Sequence, residues 1–164
     1  MVQYIFTRKG YEALLALMHR TEEMLGKAIK LKSDSGSGQD GWHDEGFKIG
    51  VVEETMWGWR LGQLENLCRN ARVIDPKEQN EIVDLGTGVI IEHENGSISE
   101  FILEGFAIET LDNRLSIHSP LGDAILGAKK GEKRVFRVGN NEKTVTIKEI
   151  LLPSISESIL KKTQ

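Results

Sequence analysis

The stretch from Ser33 to Phe47, SDSGSGQDGWHDEGF, concentrates side chains that could do chemistry. It carries four carboxylates and no Lys or Arg among them. These are Asp34, Asp40, Asp44 and Glu45. Carboxylate oxygens are the ligands that hard cations such as Mg²⁺ prefer, and a carboxylate can also act as a general base. Acidic residues in a Ser- and Gly-rich turn are more often solvated caps. The other interpretations of this stretch are a hinge between two parts of the chain, a metal site, and the end of the molecule that carries its function.

The composition limits the classes of protein. The chain has 164 residues, of which 39% are hydrophobic and 28% charged, as in a soluble protein with one domain or two small ones. A net charge of -4 argues against nucleic-acid binding through overall positive charge, although local basic patches stay compatible with it. Cys68 cannot form an internal disulfide, and no signal sequence or membrane span is evident. We therefore expect a cytoplasmic protein with no membrane contact.

Before Pro76, apolar residues recur at steps of three and four, which is helical spacing. The first segment contains Leu14, Leu17, Met24, Ala28 and Leu31, and the second contains Phe47, Trp57, Leu61, Leu64 and Cys68. Thr7 is a candidate N-cap for the first helix. Since only the partner helix can cover each stripe, residues 1–76 are predicted to form an antiparallel coiled-coil hairpin. The acidic stretch then lies at its tip, where Gly50 and Glu54 on the second stripe should weaken the seam.

After Pro76 the pattern changes to short strands, which predicts an antiparallel sheet domain over residues 77–152. Asn95-Gly96 and Asn140-Asn141 are candidate hairpin turns. Between the two hairpins, Ser119 and Pro120 are typical of a helix cap and first turn, and Gly127 of a helix end. The fold class is therefore α+β, with a curved sheet wrapped on one short helix. Residues 153–164 form an amphipathic tail to which we assign no role.

Several motifs together carry a resemblance to a known family. They are TRKGYEALL, NARVIDP, LGTGVIIE, LSIHSPLGDAILGAKKGE and VTIKEI. The chain resembles the Gre family of bacterial transcript cleavage factors, which bind RNA polymerase, and the Ser-Pro-Leu-Gly motif with its following Ala-Ile-Leu-Gly is the most specific part. The resemblance covers nearly the whole sequence. It implies an N-terminal coiled-coil hairpin and a C-terminal domain with an FKBP-like fold, in agreement with the patterns above.

The resemblance also implies a role for the tip. In Gre factors the hairpin enters the secondary channel of the polymerase, and an acidic pair at the tip reaches the active site. The family motif is similar to Asp-Leu-x-Glu-Asn, so an ungapped alignment places Asp40 on its Asp and His43 on its Glu. A shift of one residue places Asp44 on the Glu instead. We prefer the shift because a loop absorbs an extra residue at little cost, whereas a His cannot supply a carboxylate's charge.

Roles for the tip residues follow from the resemblance. The protein would stimulate cleavage of backtracked RNA by the polymerase and be inert alone, so it would not itself be an enzyme. Asp40 and Asp44 would steady a Mg²⁺ ion that the polymerase supplies and shares, with none tightly bound by this chain. Glu45 or Asp44 would orient the attacking water as a base. Asp34 is interpreted as a turn residue.

Other residues near the tip have two interpretations each. Trp42 and His43 could contact the 3′ end of the RNA, or Trp42 could pack against Phe47 as a staple. Three lysines on the part of the first arm that approaches the tip could contact RNA phosphates, or form a solvated helix face. They are Lys27, Lys30 and Lys32.

In the sheet domain, the resemblance implies that the loop of Ser119, Pro120, Leu121 and Gly122 faces the polymerase, although the same residues also suit a helix entry. His93 and His118 are interpreted as ordinary strand residues, since no Cys or second His is spaced for a zinc site.

Three functions remain open at this point. The favoured one is a cleavage-stimulating elongation factor, expected to be monomeric. The second is a Gre-like channel binder that inhibits or regulates the polymerase without promoting cleavage. The third, a prolyl isomerase, would follow from the fold alone and lacks a clustered aromatic pocket, since only Phe101, Phe106 and Phe136 could build one.

Overall fold

Helices dominate the first part of the chain and strands the second. The structure, a computed structural model, describes residues 3–35, 45–106 and 113–160. The elements are β1 (Tyr4–Thr7), α1 (Arg8–Ser35), α2 (Glu45–Arg69), β2 (Ala71–Ile74), β3 (Gly88–His93), β4 (Ile98–Glu104), β5 (Arg114–Ser116), α3 (Pro120–Ile125), β6 (Lys133–Val138), β7 (Asn141–Leu151) and α4 (Pro153–Leu160). They form two compact units, one of which is Glu12–Asn70. The other contains the described residues before and after that segment.

The first unit is the predicted antiparallel hairpin. Near its open end, the Cys68 thiol donates to the sulfur of Met18 at 3.9 Å, and at the other end Lys32 forms an ion pair with Glu54. Leu14, Ala28 and Leu64 are buried as predicted. Leu31 is not: it is 37% exposed, and its neighbour Lys32 lies at the seam instead.

The seam near the tip is built from a glycine and an ion pair. A Cβ added to Gly50 would lie 2.7 Å from the backbone nitrogen of Lys32 and 2.9 Å from its Cα. The backbone of α1 at Lys32 therefore occupies the space that a side chain at position 50 of α2 would need. The ammonium of Lys32 reaches the carboxylate of Glu54 one turn further along α2. The two residues that interrupt the apolar stripe therefore both contact α1 at Lys32, which the sequence pattern did not predict.

A five-stranded sheet with the order β5-β4-β3-β7-β6 forms the body of the second unit. The pairs β3–β4, β3–β7 and β6–β7 are antiparallel, and β4–β5 is parallel. The fold class is confirmed, but the sheet is mixed rather than purely antiparallel. The parallel pairing places Ile102 opposite Arg114 and Glu104 opposite Ser116. Val89, Ile91, Leu103, Ile125 and Ile147 lie at the centre of the core.

The turns agree with the sequence in part. Gly96 has a φ of 79° between β3 and β4, which confirms the turn at Asn95-Gly96. The second turn lies one residue earlier than predicted: Val138 pairs with Asn141, so Gly139 and Asn140 form the loop. Gly139 has a φ of 60°, which a glycine adopts without strain. The glycine rather than the Asn-Asn pair therefore sets the turn.

Two segments outside the predicted sheet domain belong to the second unit. β1 pairs in parallel with β2, and Phe6 of β1 is fully buried beside the ring of Phe106. At the other end of the sequence, Ser156 of α4 is buried; its hydroxyl accepts from the backbone N–H of Gly88 at 2.9 Å and donates to Leu152. The compact units therefore differ from the predicted division after Pro76, because the first strand and the tail helix join the sheet domain.

Substituting Gly50 tests the seam. We expect Gly50→Ala to lower the free energy of unfolding of the hairpin by about 1–3 kcal/mol, because the new methyl group would overlap the backbone of Lys32. All three tryptophans of the chain lie in Glu12–Asn70, so tryptophan fluorescence in urea reports on this unit.

The matched control is Gly58→Ala on the same helix. A Cβ at Gly58 meets nothing within 4 Å, so alanine there should stabilise the helix by about 0.5–1 kcal/mol. Equal effects of the two substitutions would contradict the close approach at Gly50.

Candidate functional site

The tip of the hairpin follows the last turn of α1 and precedes α2. Asp40, Trp42, His43 and Asp44 lie outside the described residues. Glu45 is the first residue of α2 and is exposed, in the first helical turn where a carboxylate is favoured by the helix dipole.

The residues at the end of α1 differ from expectation in one respect. Asp34, interpreted from the sequence as a turn residue, lies within α1, which extends to Ser35.

The three lysines in the last part of α1 are not equivalent. Lys27 and Lys30 are exposed, whereas the side chain of Lys32 is only 32% exposed and is paired with Glu54. The ammonium of Lys32 is therefore engaged in holding α1 to α2, which leaves Lys27 and Lys30 as the better candidates for contacting an anionic ligand.

The loop before α3 is shaped by local contacts. The hydroxyl of Ser119 accepts from the backbone N–H of Gly122 at 3.0 Å and donates to the carbonyl of Ser116 at 2.7 Å. Pro120 occupies the first helical turn, where its missing N–H costs nothing. A Cβ at Gly122 would collide with the carbonyl oxygen of Ser116, so only glycine fits. The Ser-Pro-x-Gly residues are thus required by the helix entry itself.

The residues of this loop differ in exposure, and only the exposed ones could contact a partner directly. Pro120 and the neighbouring His118 are exposed. Leu121 is half-buried and packs against the core of the sheet domain. A docking surface at this loop would therefore be formed by Pro120 and His118, with Leu121 supporting it from below.

A cavity of about 220 Å³ lies in the second unit, and no pattern in the sequence predicts it. Its lining includes Thr7, Arg8, Ile102, Glu104 and Arg114. Thr7 and Glu104 are 97 positions apart, so no local pattern could bring them together.

The fully buried carboxylate of Glu104 is the polar centre of this region. It accepts from the hydroxyl of Thr7 at 2.7 Å, from the backbone N–H of Thr7 at 3.3 Å, and from the guanidinium of Arg114. Burial raises the pKa of Glu104 above its usual value, and the contacts with Thr7 and Arg114 oppose this rise. Thr7 also caps α1, because its hydroxyl accepts from the N–H of Gly10 at 3.1 Å, which confirms the predicted cap.

The remaining groups do not assemble a reaction centre in the part of the chain that the structure describes. The described residues contain no group of three or more His, Cys, Asp or Glu that could hold a metal ion. His93 contacts the hydroxyl of Ser99 at 2.9 Å. Burial, and secondly Glu65, raise the pKa of the Cys68 thiol, which disfavours the reactive thiolate. None of the helices in the described ranges is long and apolar enough to cross a membrane.

Comparison with known proteins decides the family. Residues 78–151 match the family described as "Transcription elongation factor, GreA/GreB, C-term". The chain is also 35% identical over 149 residues to transcription elongation factor GreA of Bacillus cytotoxicus, covering 88% of this chain and 94% of that protein. The chain belongs to the Gre family of transcription elongation factors.

A second GreA protein agrees with this membership. The Gre factor described here is 28% identical over 144 residues to GreA of Clostridium acetobutylicum, covering 80% of this chain and 85% of that protein. Among solved structures it is similar to the GreA factor homolog 1 protein of Thermus thermophilus, with 22% identity, a TM-score of 0.44, and coverage of 91% of this chain and 99% of that one.

Removing Arg114 from this Gre factor tests the buried pair. Arg114→Met leaves Glu104 without its guanidinium, and breaking such a pair typically costs about 3–5 kcal/mol of unfolding free energy. Because the variant loses a contact that lowers the pKa of Glu104, that pKa rises further, and protonation relieves the buried charge as the pH falls. The deficit relative to wild type should therefore shrink between about pH 7 and about pH 5. Urea unfolding followed by the amide NMR signals of the sheet measures it.

The control for this prediction is Arg137→Met. The ion pair of Arg137 with Glu142 is exposed, with side-chain exposures of 78% and 59%, so its loss should cost less than about 1 kcal/mol. A deficit of Arg114→Met that stays constant over this pH range would contradict the role given to the charge of Glu104.

Proposed function

We propose that this protein binds RNA polymerase and stimulates Mg²⁺-dependent cleavage of backtracked RNA with the acidic end of its hairpin. The observation that carries the proposal is the extent of the similarity to GreA. It runs over 149 residues, too many to lie in the 74 residues from 78 to 151 alone, so it includes much of the hairpin. The chain therefore shares with these elongation factors both the sheet domain and the arm that carries the acidic stretch.

The chemistry of the tip fits a hard cation. The donors in the stretch are carboxylates, at Asp40, Asp44 and Glu45, and oxygen donors of this kind suit Mg²⁺. When bound, Mg²⁺ would activate water and neutralise charge on the phosphate. Asp40 and Asp44 would hold the ion together with the polymerase, and Glu45 would accept a proton from the attacking water. Two or three carboxylates do not complete the coordination shell of Mg²⁺. The factor would therefore supply part of an active site whose other groups belong to the polymerase.

Other side chains would position the substrate. Trp42 and His43 would lie against the 3′ end of the RNA, and Lys27 and Lys30 would attract its phosphates from the exposed face of α1. Lys32 has a different task, because Glu54 already neutralises it and the pair holds the helices together beside the tip.

A second candidate function is a channel binder that regulates or inhibits the polymerase without promoting cleavage. His43 favours it, because this histidine stands where an ungapped alignment expects the acidic residue of the family. An inhibitor needs bulk and charge at the tip but no carboxylate in reach of a metal ion. A stalled, backtracked elongation complex separates the two functions: a stimulator shortens the transcript, whereas an inhibitor only slows extension.

Neutralising the tip carboxylates tests the chemistry. We expect Asp44→Asn to bind the polymerase about as well as wild type and to cleave RNA roughly 10- to 100-fold more slowly, because the amide keeps the size but cannot hold the cation. Asp40→Asn should behave likewise, and excess Mg²⁺ should partly restore either variant. Gly41→Ala is the control and should change cleavage little. Wild-type cleavage rates in both Asn variants would show that the carboxylates are spectators.

Substitution at the loop before α3 separates docking from chemistry. Pro120→Glu places a charge on an exposed position of the first helical turn, where an acidic residue is tolerated by the helix. We expect the concentration for half-maximal cleavage to rise by roughly 10-fold while the saturated rate stays unchanged, since lost interface contacts are uniform binding losses.

The comparison variant is Leu121→Glu, which should instead lower the stability of the sheet domain because Leu121 packs against its core. If Pro120→Glu reduces the saturated rate as much as it weakens binding, the loop is not simply a docking surface.

A further inference from the structure

Lys32 of α1 meets two residues of α2 that are one helical turn apart. Its backbone nitrogen lies 2.7 Å from the place that a Cβ of Gly50 would take. Its ammonium pairs with the carboxylate of Glu54. The backbone of Lys32 thus faces position 50 and its side chain reaches position 54. Together these two contacts define how far the two antiparallel helices are shifted along each other.

The ion pair is partly buried in the seam, with side-chain exposures of 32% for Lys32 and 33% for Glu54. Two charges that lose part of their hydration gain little net stability from each other, and an apolar pair of similar volume often stabilises a fold as well or better. The best-attested role of a polar group in a helical seam is to select one register. The position of this pair therefore favours a role in setting the register of the hairpin.

The sequence of α2 shows which shifts the pair would exclude. Gly46 lies four residues before Gly50, so a shift of one turn would place Gly46, again without a side chain, against the backbone of Lys32. The ammonium of Lys32 would then face Gly50 and lose its carboxylate. A shift in the other direction would bring the Cβ of Glu54 against the backbone of Lys32, where a Cβ overlaps. The glycines thus permit one wrong register, and the ion pair disfavours it.

We propose that Lys32 and Glu54 are positioning residues, which hold the two arms in the register that brings the acidic end of the hairpin to the metal ion of the polymerase. The proposal rests on the proposed function and adds to it the contact that places the acidic end. In this role the two residues act through the carboxylates of the stretch and not by touching RNA or metal themselves.

The size of a wrong shift explains why register would matter for the reaction. Four residues of helix correspond to about 6 Å, so a shift of one turn displaces the end of α1 relative to the start of α2 by about that distance. A displacement of reacting groups by about 1 Å can slow a reaction about 100-fold. Molecules in the wrong register would therefore contribute almost nothing to cleavage, and the observed rate would follow the fraction in the native register.

Replacing the pair by apolar residues separates register from stability. For the double variant Lys32→Met/Glu54→Leu we expect a urea midpoint equal to or above that of wild type, because no charge is left in the seam. The saturated rate of RNA cleavage should nevertheless fall by roughly 3- to 10-fold, while the factor concentration for half-maximal cleavage changes by less than about 2-fold. If the pair only stabilised the hairpin, a variant of equal stability would keep the wild-type rate.

Charge exchange tests whether the pairing itself matters. Lys32→Glu sets two carboxylates against each other and should lower the saturated rate by about 10-fold or more, whereas Lys32→Glu/Glu54→Lys should return it to within about 3-fold of wild type. The matched control for Glu54→Gln is Glu22→Gln, the same change at an exposed contact with His19 on the same arm. Glu54→Gln should slow cleavage, and Glu22→Gln should leave the rate unchanged.

Nuclear Overhauser effects measure the register without the polymerase. A Cβ at Gly50 would lie 2.7 Å from the nitrogen of Lys32, so the α-protons of Gly50 are close enough to the amide proton of Lys32 to give a cross-peak. Wild type and the charge-exchanged variant should show this cross-peak. In the apolar variant it should weaken by the same factor as the cleavage rate, and a cross-peak between Gly46 and Lys32 should appear.

Three results would overturn the proposal. An apolar variant that cleaves at the wild-type rate shows that the pair does not position the acidic end. A cross-peak of full intensity between Gly50 and Lys32 in that variant shows that the pair does not set the register. A charge-exchanged variant as slow as Lys32→Glu shows that Lys32 is needed for a reason other than its pairing with Glu54. If wild type does not stimulate cleavage at all, the proposed function fails, and the cross-peaks still decide whether the pair sets the register.

Discussion

The buried carboxylate of Glu104 is the contact on which the assembly of the second unit depends. It holds the end of β1 through both the N–H and the hydroxyl of Thr7, and it holds β5 through Arg114. Thr7 in turn caps the first helix. A buried charge is tolerated only when its hydrogen bonds are satisfied, so these three residues must be present together. One side chain thereby joins the first strand of the chain to a sheet that forms about 100 residues later.

The most specific motif of the sequence is explained by backbone geometry. Ser119 caps α3, Pro120 starts it, and Gly122 passes too close to the carbonyl of Ser116 for any side chain. The helix entry requires these features whether or not a partner binds. The motif is therefore evidence for the fold and not, by itself, for a function. Only the outward residues of the loop can add a docking role, and this is why exposure, rather than membership in the motif, selects the positions that a partner could meet.

Whether a feature of the structure could be predicted from the sequence depended on how far apart in the sequence its interacting residues are. The two helices, the cap at Thr7 and the turn at Gly96 follow from local spacing and turn chemistry, and all were correct. The parallel pairing of β5 and the contacts of Glu104 join distant segments, and no local pattern encodes them. At the tip, the acidic residues were noticed from composition and the family resemblance, while their chemistry remains a proposal that local spacing cannot decide.

Helix α2 shows what apolar spacing alone does not describe about the hairpin. Gly50 and Glu54 interrupt the apolar stripe, yet the missing side chain of Gly50 permits a close approach to the backbone of Lys32, and Glu54 pairs with the half-buried ammonium of that lysine. The apolar residues that the inner seam does not use are on the opposite face.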